Sequence, residues 1–142
     1  MAKYFASLIA PRLTSLKQIN AILVPVPSGK RTTATRGFQP AQVIARQLSK
    51  QCGLANFSAI KPVAEIADQA ALTREQRATN VMHSMQASEA IRGKSVILVD
   101  DIVTTGATLN EAARAVTQAG GLPIFFVTFA ETIRKIGNGF AN

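Results

Sequence analysis

Three uninterrupted apolar runs, "AILVPV" at 21–26, "VILV" at 96–99 and "LPIFFVTFA" at 122–130, constrain this chain more than any other feature. A strand with one face in water alternates apolar and polar residues, so unbroken runs of this length fit parallel strands covered on both faces. Between the second and third runs lies a helix-length segment, from about Gly106 to Ala119. Leu109, Ala112, Ala113 and Val116 recur on its inner face, and Gly120 and Gly121 end it. Residues 95–130 therefore read as a strand, helix, strand unit whose first strand covers 95–100, with the right-handed crossover that parallel strands require. A second helix is expected after Pro40, where Ala41, Ile44, Ala45, Leu48 and Cys52 share one face and Gly53 supplies the stop.

The predicted fold class is α/β: an open, mostly parallel sheet flanked by helices. It forms a single domain over residues 1–142, with an N-terminal helical segment at 1–20 and a core at 21–131. The N-terminal segment reads as a helix ending near Pro11, or as a weakly amphipathic surface segment. Residues 57–64, "FSAIKPVA", read as a second, weaker strand and residues 81–87 as a returning one. The polar stretch "EIADQAALTREQRATN" between them is a long exposed loop, and loops of that length in a compact domain are usually functional.

Charge is distributed unevenly. Residues 1–64 hold nine of the 16 Lys and Arg and no acid, whereas all eight acidic residues fall in 65–142. A positive field of this kind favours phosphorylated ligands, nucleic acid or an anionic surface without choosing among them, and a merely basic soluble surface is the plainer alternative. Cys52 is the one cysteine, which excludes a disulfide framework and a cysteine-rich metal site and points to a reducing compartment. The opening apolar run is too short to span a bilayer and lacks a cleavage pattern, so no membrane span and a cytoplasmic location are expected.

The chemistry gathers where the second run ends, in "VILVDDIVTTGAT". In open parallel sheets ligands bind beyond the carboxyl ends of the strands, where the next helix presents unpaired N–H groups. Gly106 allows a tight turn, and Thr104, Thr105 and Thr108 with the local amides form a cradle for a phosphate monoester. The chain has no GxxxxGK followed by Ser or Thr, which excludes the nucleoside triphosphate P-loop. Side chains alternate along a strand, so Asp100 and Asp101 splay apart and can grip two neighbouring groups, as in a vicinal diol. A ribose 5-phosphate satisfies both halves. The structural alternative is that Asp100 is a turn residue and the threonines only cap the helix. His83, the single histidine, has no partner visible in the sequence and reads as structural.

"VILVDDIVTTGAT" resembles the phosphoribosyl pyrophosphate (PRPP) signature of the type I phosphoribosyltransferases. "VPVPSGKRTTATRGF" at 24–38 and "QAALTREQRATN" at 69–80 are similar to segments of the ComF-type branch, associated with competence for DNA uptake. The resemblance implies a phosphoribosyltransferase that displaces pyrophosphate from PRPP. Asp100 and Asp101 would hold the ribose and, indirectly, Mg²⁺; Thr104, Thr105, Gly106, Ala107 and Thr108 would hold the 5-phosphate. Ser28, Gly29, Lys30 and Arg31 would contact pyrophosphate, with Arg36 a secondary candidate, and a mobile loop would bring Arg74 and Arg77 over it. The exposed-loop reading stays open for Arg36, as does the plain helical turn for 68–80. Two departures stand out: Gln39 replaces the asparagine common after the Gly-Phe pair, and the cysteine-rich, zinc-binding N-terminal segment of many members is missing, so no zinc is expected. The partners implied are PRPP and, given the acid-free first half, single-stranded DNA along Lys30, Arg31, Arg36, Arg46 and Lys50; a homodimer would cover any apolar edge left bare.

Overall fold

A computed structural model describes residues 1–28, 37–63, 83–103 and 105–131 of the 142-residue chain. Its centre is a four-stranded parallel sheet made of β1 (Ile22–Pro25), β2 (Ala55–Asn56), β5 (Ser95–Val103) and β6 (Leu122–Glu131), in the order β2-β1-β5-β6. Helices α1 (Ala2–Leu13), α2 (Pro40–Cys52) and α3 (Ala107–Gln118) flank it, and β3 (Ile60–Pro62) pairs antiparallel with β4 (Met85–Ala87) in a separate ribbon.

The first two apolar runs are buried on both faces because each alternates between two cores; the third, expected to be covered likewise, is not, since Val127 alone of residues 122–129 is buried and Leu122, Phe125, Phe126 and Phe129 are exposed. Ile22, Val24, Val26, Val96 and Leu98 pack toward α3, with Leu109, Ala112 and Val116 opposite them. Leu23, Ile97 and Val99 point the other way, onto Ala6, Ala10 and Leu13 of α1 and Ile44, Ala45 and Leu48 of α2. The predicted face of α2 is the buried one, residue for residue: Pro40 opens the helix and Gly53, at φ +71°, closes it. On α3, Ala113 is only partly buried, while Ala115 and Glu111, outside the expected face, are buried.

Four expectations need correction. Helix α1 does not end near Pro11 but runs through it to Leu13, where a 3-10 helix (Thr14–Ile19) takes over. Proline removes one intrahelical donor, but Ala6, Ala10 and Leu13 are buried at i, i+4 and i+7, and the Thr14 hydroxyl donates to the Ala10 carbonyl at 2.9 Å. Packing outweighs the missing bond. The stretch 57–64 is not one strand: β2 ends at Asn56, and the antiparallel β3 begins at Ile60. The Ala59 N–H donates to the Phe57 carbonyl at 2.8 Å, which turns the chain between them. The returning strand is shorter than expected, Met85–Ala87, with residues 81–82 outside the described set. The strand expected at 95–100 continues through both aspartates to Val103, because β6 supplies backbone partners as far as Val103 opposite Glu131, whereas β1 stops at Pro25 opposite Val99. Among the described residues, the strand beyond residue 99 is thus paired on one side only.

Candidate functional site

The open side of β5 is where the sequence placed a ligand. The Val26 N–H donates to the Val99 carbonyl at 2.8 Å, so the chain leaving β1 at Pro27 and Ser28 emerges beside Asp100 and Asp101. Ser28 is half-buried there; Gly29, Lys30, Arg31 and Arg36 lie outside the described residues, as do Thr104, Arg74 and Arg77.

The two aspartates differ in environment. Asp100 follows Leu98 on the α3 face and is only 7% exposed, whereas Asp101 is half-buried and the next residue, Ile102, is exposed. The Asp101 N–H donates to Asp100 Oδ1 at 2.8 Å. Burial pushes the Asp100 carboxyl from 3.8 up to about 6; the bond from the Asp101 N–H opposes this, and the hydrogen bond and charge of the Asp101 side chain add to it. A carboxylate held this way gains from any hydroxyl or cation that can replace the water it has lost.

The helix that follows is built to face an anion. Gly106 occupies the left-handed region at φ +76°, which a residue with a Cβ adopts at a cost, and its carbonyl accepts the first bond of α3 from Asn110 at 2.9 Å. The Thr105 hydroxyl accepts from the Ala107 N–H at 3.3 Å, the local turn expected of a capping threonine. The remaining N–H groups of the first turn have no partner within the helix. Asp100, Thr105, Gly106 and Thr108 line one shallow recess together with Ile102, Val103 and Leu109; Asp101 and Ala107 do not line it. A built Cβ at Gly106 would meet nothing within 4 Å, so space beside the turn is open. The larger cavity, about 380 Å³, lies between α3 and β6 and is walled mainly by Leu98, Leu109, Ala113 and Phe126. Those apolar walls do not suit a sugar phosphate.

No cluster of three or more His, Cys, Asp or Glu side chains able to hold a metal occurs among the described residues. Two adjacent carboxylates alone suit only a divalent cation that brings most of its oxygens with it, from water and a ligand.

A second polar constellation, Glu111 and Arg114, escaped the sequence reading. Glu111 is 4% exposed; its Oε1 accepts from the Met85 N–H at 3.0 Å and from Arg114 Nη2 at 2.8 Å, and its Oε2 accepts from Arg114 Nε at 2.8 Å. Arg114 Nη2 also donates to the Met85 carbonyl at 2.8 Å. The Arg114 guanidinium holds the Glu111 carboxyl down to about 2 against the opposing effect of burial, with help from the Met85 and His83 N–H groups. This clamp fastens α3 to β4. His83, read as structural, sits beside it with a backbone at φ +65°. The only signal in the sequence was an acid three residues before an arginine on a helix.

The phosphoribosyl transferase domain model matches residues 32–137. The chain belongs to the phosphoribosyl transferase domain family. Competence protein F of Haemophilus influenzae is 31% identical over 121 residues, covering 82% of this chain and 52% of that protein. DNA utilization protein YhgH of Salmonella typhimurium is 30% identical over 118 residues, again 82% of this chain and 52% of the relative. The chain thus spans about half the length of these relatives, and their names agree with the competence-associated, ComF-type branch of the type I phosphoribosyltransferases that the three motif blocks resemble. Among solved structures, adenine phosphoribosyltransferase from Thermoanaerobacter pseudethanolicus superposes with a TM-score of 0.57 at 17% identity, over 90% of this chain and 66% of that one. Trypanosoma cruzi hypoxanthine phosphoribosyl transferase gives 0.50 at 18% identity, over 97% and 67%. The phosphoribosyltransferase-like α/β fold is therefore shared. No helix among the described residues is long and apolar enough to cross a membrane.

Proposed function

We propose that the chain binds PRPP and transfers its phosphoribosyl group to a nitrogen acceptor with release of pyrophosphate. The observation that carries this reading is the buried Asp100 at the end of β5, sharing one recess with Thr105, Gly106 and Thr108 at the start of α3. Membership of the phosphoribosyl transferase family supports it.

In this reading Asp100 and Asp101 accept from the ribose 2- and 3-hydroxyls, each charge-assisted bond contributing roughly 1.5 to 3 kcal/mol. Thr104 to Thr108 hold the 5-phosphate through hydroxyls and amides. The bond from ribose C1 to the pyrophosphate oxygen breaks with its electron pair going to pyrophosphate, and the acceptor nitrogen attacks the cationic sugar from the opposite face and then loses its proton. No protein nucleophile is required. Ser28, Gly29, Lys30 and Arg31, with Arg74 and Arg77, meet charge that grows as the bond breaks, so they stabilise the transition state more than the ground state. Asp100 and Asp101 would hold Mg²⁺ indirectly, and the ion would supply further neutralisation of the pyrophosphate charge. A reducing, cytoplasmic setting fits the supply of such a substrate.

The test is pyrophosphate release from PRPP and Mg²⁺ across purines, pyrimidines and simple amines. Release with at least one acceptor, lost when Asp100 and Asp101 are both asparagine, is the expected result; no release with any acceptor contradicts turnover. A second reading, a non-catalytic protein that binds PRPP or single-stranded DNA, is favoured by one observation: no acid occurs in residues 1–64. Two relatives named for competence and DNA utilization support it. There Lys30, Arg31, Arg36, Arg46 and Lys50 would track the phosphate backbone, and binding would weaken steeply with salt.

A further inference from the structure

The clamp that fastens α3 to β4 joins two regions that the phosphoribosyl reading needs to act on one substrate. Glu111 follows Asn110, whose N–H donates to the Gly106 carbonyl at 2.9 Å as the first bond of α3. At roughly 1.5 Å per residue it stands about 6 Å along the helix from Ala107, at the turn that faces an anion. On the other side the clamp grips the ribbon near the point where residues 64–82, outside the described set, join β3 to β4. The Val63 N–H donates to the Ser84 carbonyl at 2.8 Å, and the next residue, Met85, stands opposite Pro62. The grip is thus one residue inside the last described rung.

Its form exceeds what adhesion requires. Antiparallel ladders bond alternate residues, and here the Ser84 carbonyl and the Ser88 N–H bond to β3, so Met85 turns its own N–H and carbonyl away from that strand. Glu111 accepts from the first at 3.0 Å, and Arg114 donates to the second at 2.8 Å. Two side chains therefore supply the acceptor and donor that a neighbouring strand would supply. Arg114 is itself held by a two-pronged contact with Glu111 and by donating to Gln118 Oε1 at 2.6 Å. The His83 N–H also supports the Glu111 carboxylate, and His83 sits at φ +65°, an uncommon backbone for a residue other than glycine. Ile60 and Ala87 already share a core with Leu109, Ala112 and Val116, and Met85 packs against it. A buried ion pair adds little net stability over apolar side chains of similar size, whereas its bonds are directional.

We propose that Glu111 and Arg114 are positioning residues for phosphoribosyl transfer, setting the register between the turn that holds the 5-phosphate and the ribbon that carries Arg74 and Arg77 to the pyrophosphate. The inference rests on the PRPP reading and adds to it a pair of residues that do not line the recess. Its signature is selective. In that reading ribose 5-phosphate engages only Asp100, Asp101 and the turn from Thr104 to Thr108, whereas PRPP also engages the groups that meet pyrophosphate. Loosening the register leaves the first set in place and displaces the second. A clamp that only stabilised the fold would weaken both ligands alike, since both bind the folded protein.

Calorimetric titration of the full chain with PRPP and, separately, with ribose 5-phosphate, both with Mg²⁺, tests this in wild type, Glu111→Ala and Arg114→Lys. Thermal melts establish that each variant is folded at the temperature of titration. Arg114→Lys keeps a positive charge beside Glu111 but loses the fork that reaches the Met85 carbonyl, so it gives the answer even if Glu111→Ala does not fold. PRPP affinity should fall at least about tenfold in Glu111→Ala and at least about threefold in Arg114→Lys, while ribose 5-phosphate affinity stays within about twofold in both. A folded variant that loses both affinities in parallel, or keeps both, overturns the proposal and leaves the PRPP reading standing. A wild type that binds PRPP no more tightly than ribose 5-phosphate also overturns it, because no group of the protein then reads the pyrophosphate. A wild type that binds neither ligand contradicts the PRPP reading and this inference with it.

Discussion

Replacing Asp100 with asparagine should make the protein more stable while disabling its site. The carboxyl titrates near 6 in the fold against 3.8 when free, a displacement that burial causes. At about 1.4 kcal/mol per unit, the folded state carries an ionisation cost of about 3 kcal/mol once pH exceeds 6. The sign follows from the raised value: at pH below 3.8 the group is neutral in both states and costs nothing; between 3.8 and 6 stability falls as pH rises; above 6 the loss is complete. Asparagine keeps the oxygen that accepts from the Asp101 N–H but brings an NH₂ group into a site only 7% exposed, costing about 1 to 2 kcal/mol. The net expectation is a gain of about 1 to 2 kcal/mol at pH 7.5, or several degrees in Tm for a chain of this size. Urea denaturation of both proteins at pH 7.5 and pH 4 measures it. The advantage should shrink or reverse at pH 4, where the wild type no longer carries the charge. A variant less stable at pH 7.5, or a difference that does not change with pH, would refute the reasoning.

Glu111→Ala should cost about 1 to 3 kcal/mol, because Arg114 loses its carboxylate partner, keeping only the Met85 carbonyl and Gln118, and the Met85 N–H is left unpaired; urea midpoints measure it. Since the Glu111 carboxyl is held down to about 2, its contribution is complete above 4.5 and is lost as pH falls through 2, so wild type and variant should converge in acid. Gly106→Ala should destabilise by only about 1 kcal/mol, a backbone cost at φ +76° with no steric contact, while phosphate-ester affinity measured by calorimetry drops at least tenfold. Gly121→Ala has ordinary backbone but would place a Cβ 2.9 Å from Val116 Cγ1 and 3.2 Å from Ile91 Cδ1, so thermal melts should show a loss of about 1 to 3 kcal/mol.

Residues whose role repeats along the chain were legible in the sequence. The five buried positions of α2 declare themselves by helical spacing, and its boundaries by Pro40 and Gly53. The strands β1 and β5 show as unbroken apolar runs because two cores cover them, whereas the equally apolar β6 is covered only in part. Elements without a period were not legible: β2 has two residues and β3 three, and a two-residue strand exists only because β1 lies beside it. The end of β5 was misjudged for a related reason. Charge suggested a stop at Asp100, but the partner strand, not the side chain, decides how far pairing continues. At the site, nothing in the sequence distinguishes the buried carboxylate of Asp100 from its half-buried neighbour, and the alternation rule does not show that the Asp101 side chain stays close enough to act on Asp100 through a hydrogen bond and its charge. The burial of Glu111 depends on Met85, 26 residues away, and is invisible without the fold.

The most direct test of the phosphoribosyl reading is calorimetric titration of PRPP, with and without Mg²⁺, into the wild type and into the variant with asparagine at both Asp100 and Asp101. Saturable, Mg²⁺-dependent binding that disappears in a folded variant is the predicted result. A folded wild type that takes up no PRPP, or a variant that binds as well as wild type, contradicts it.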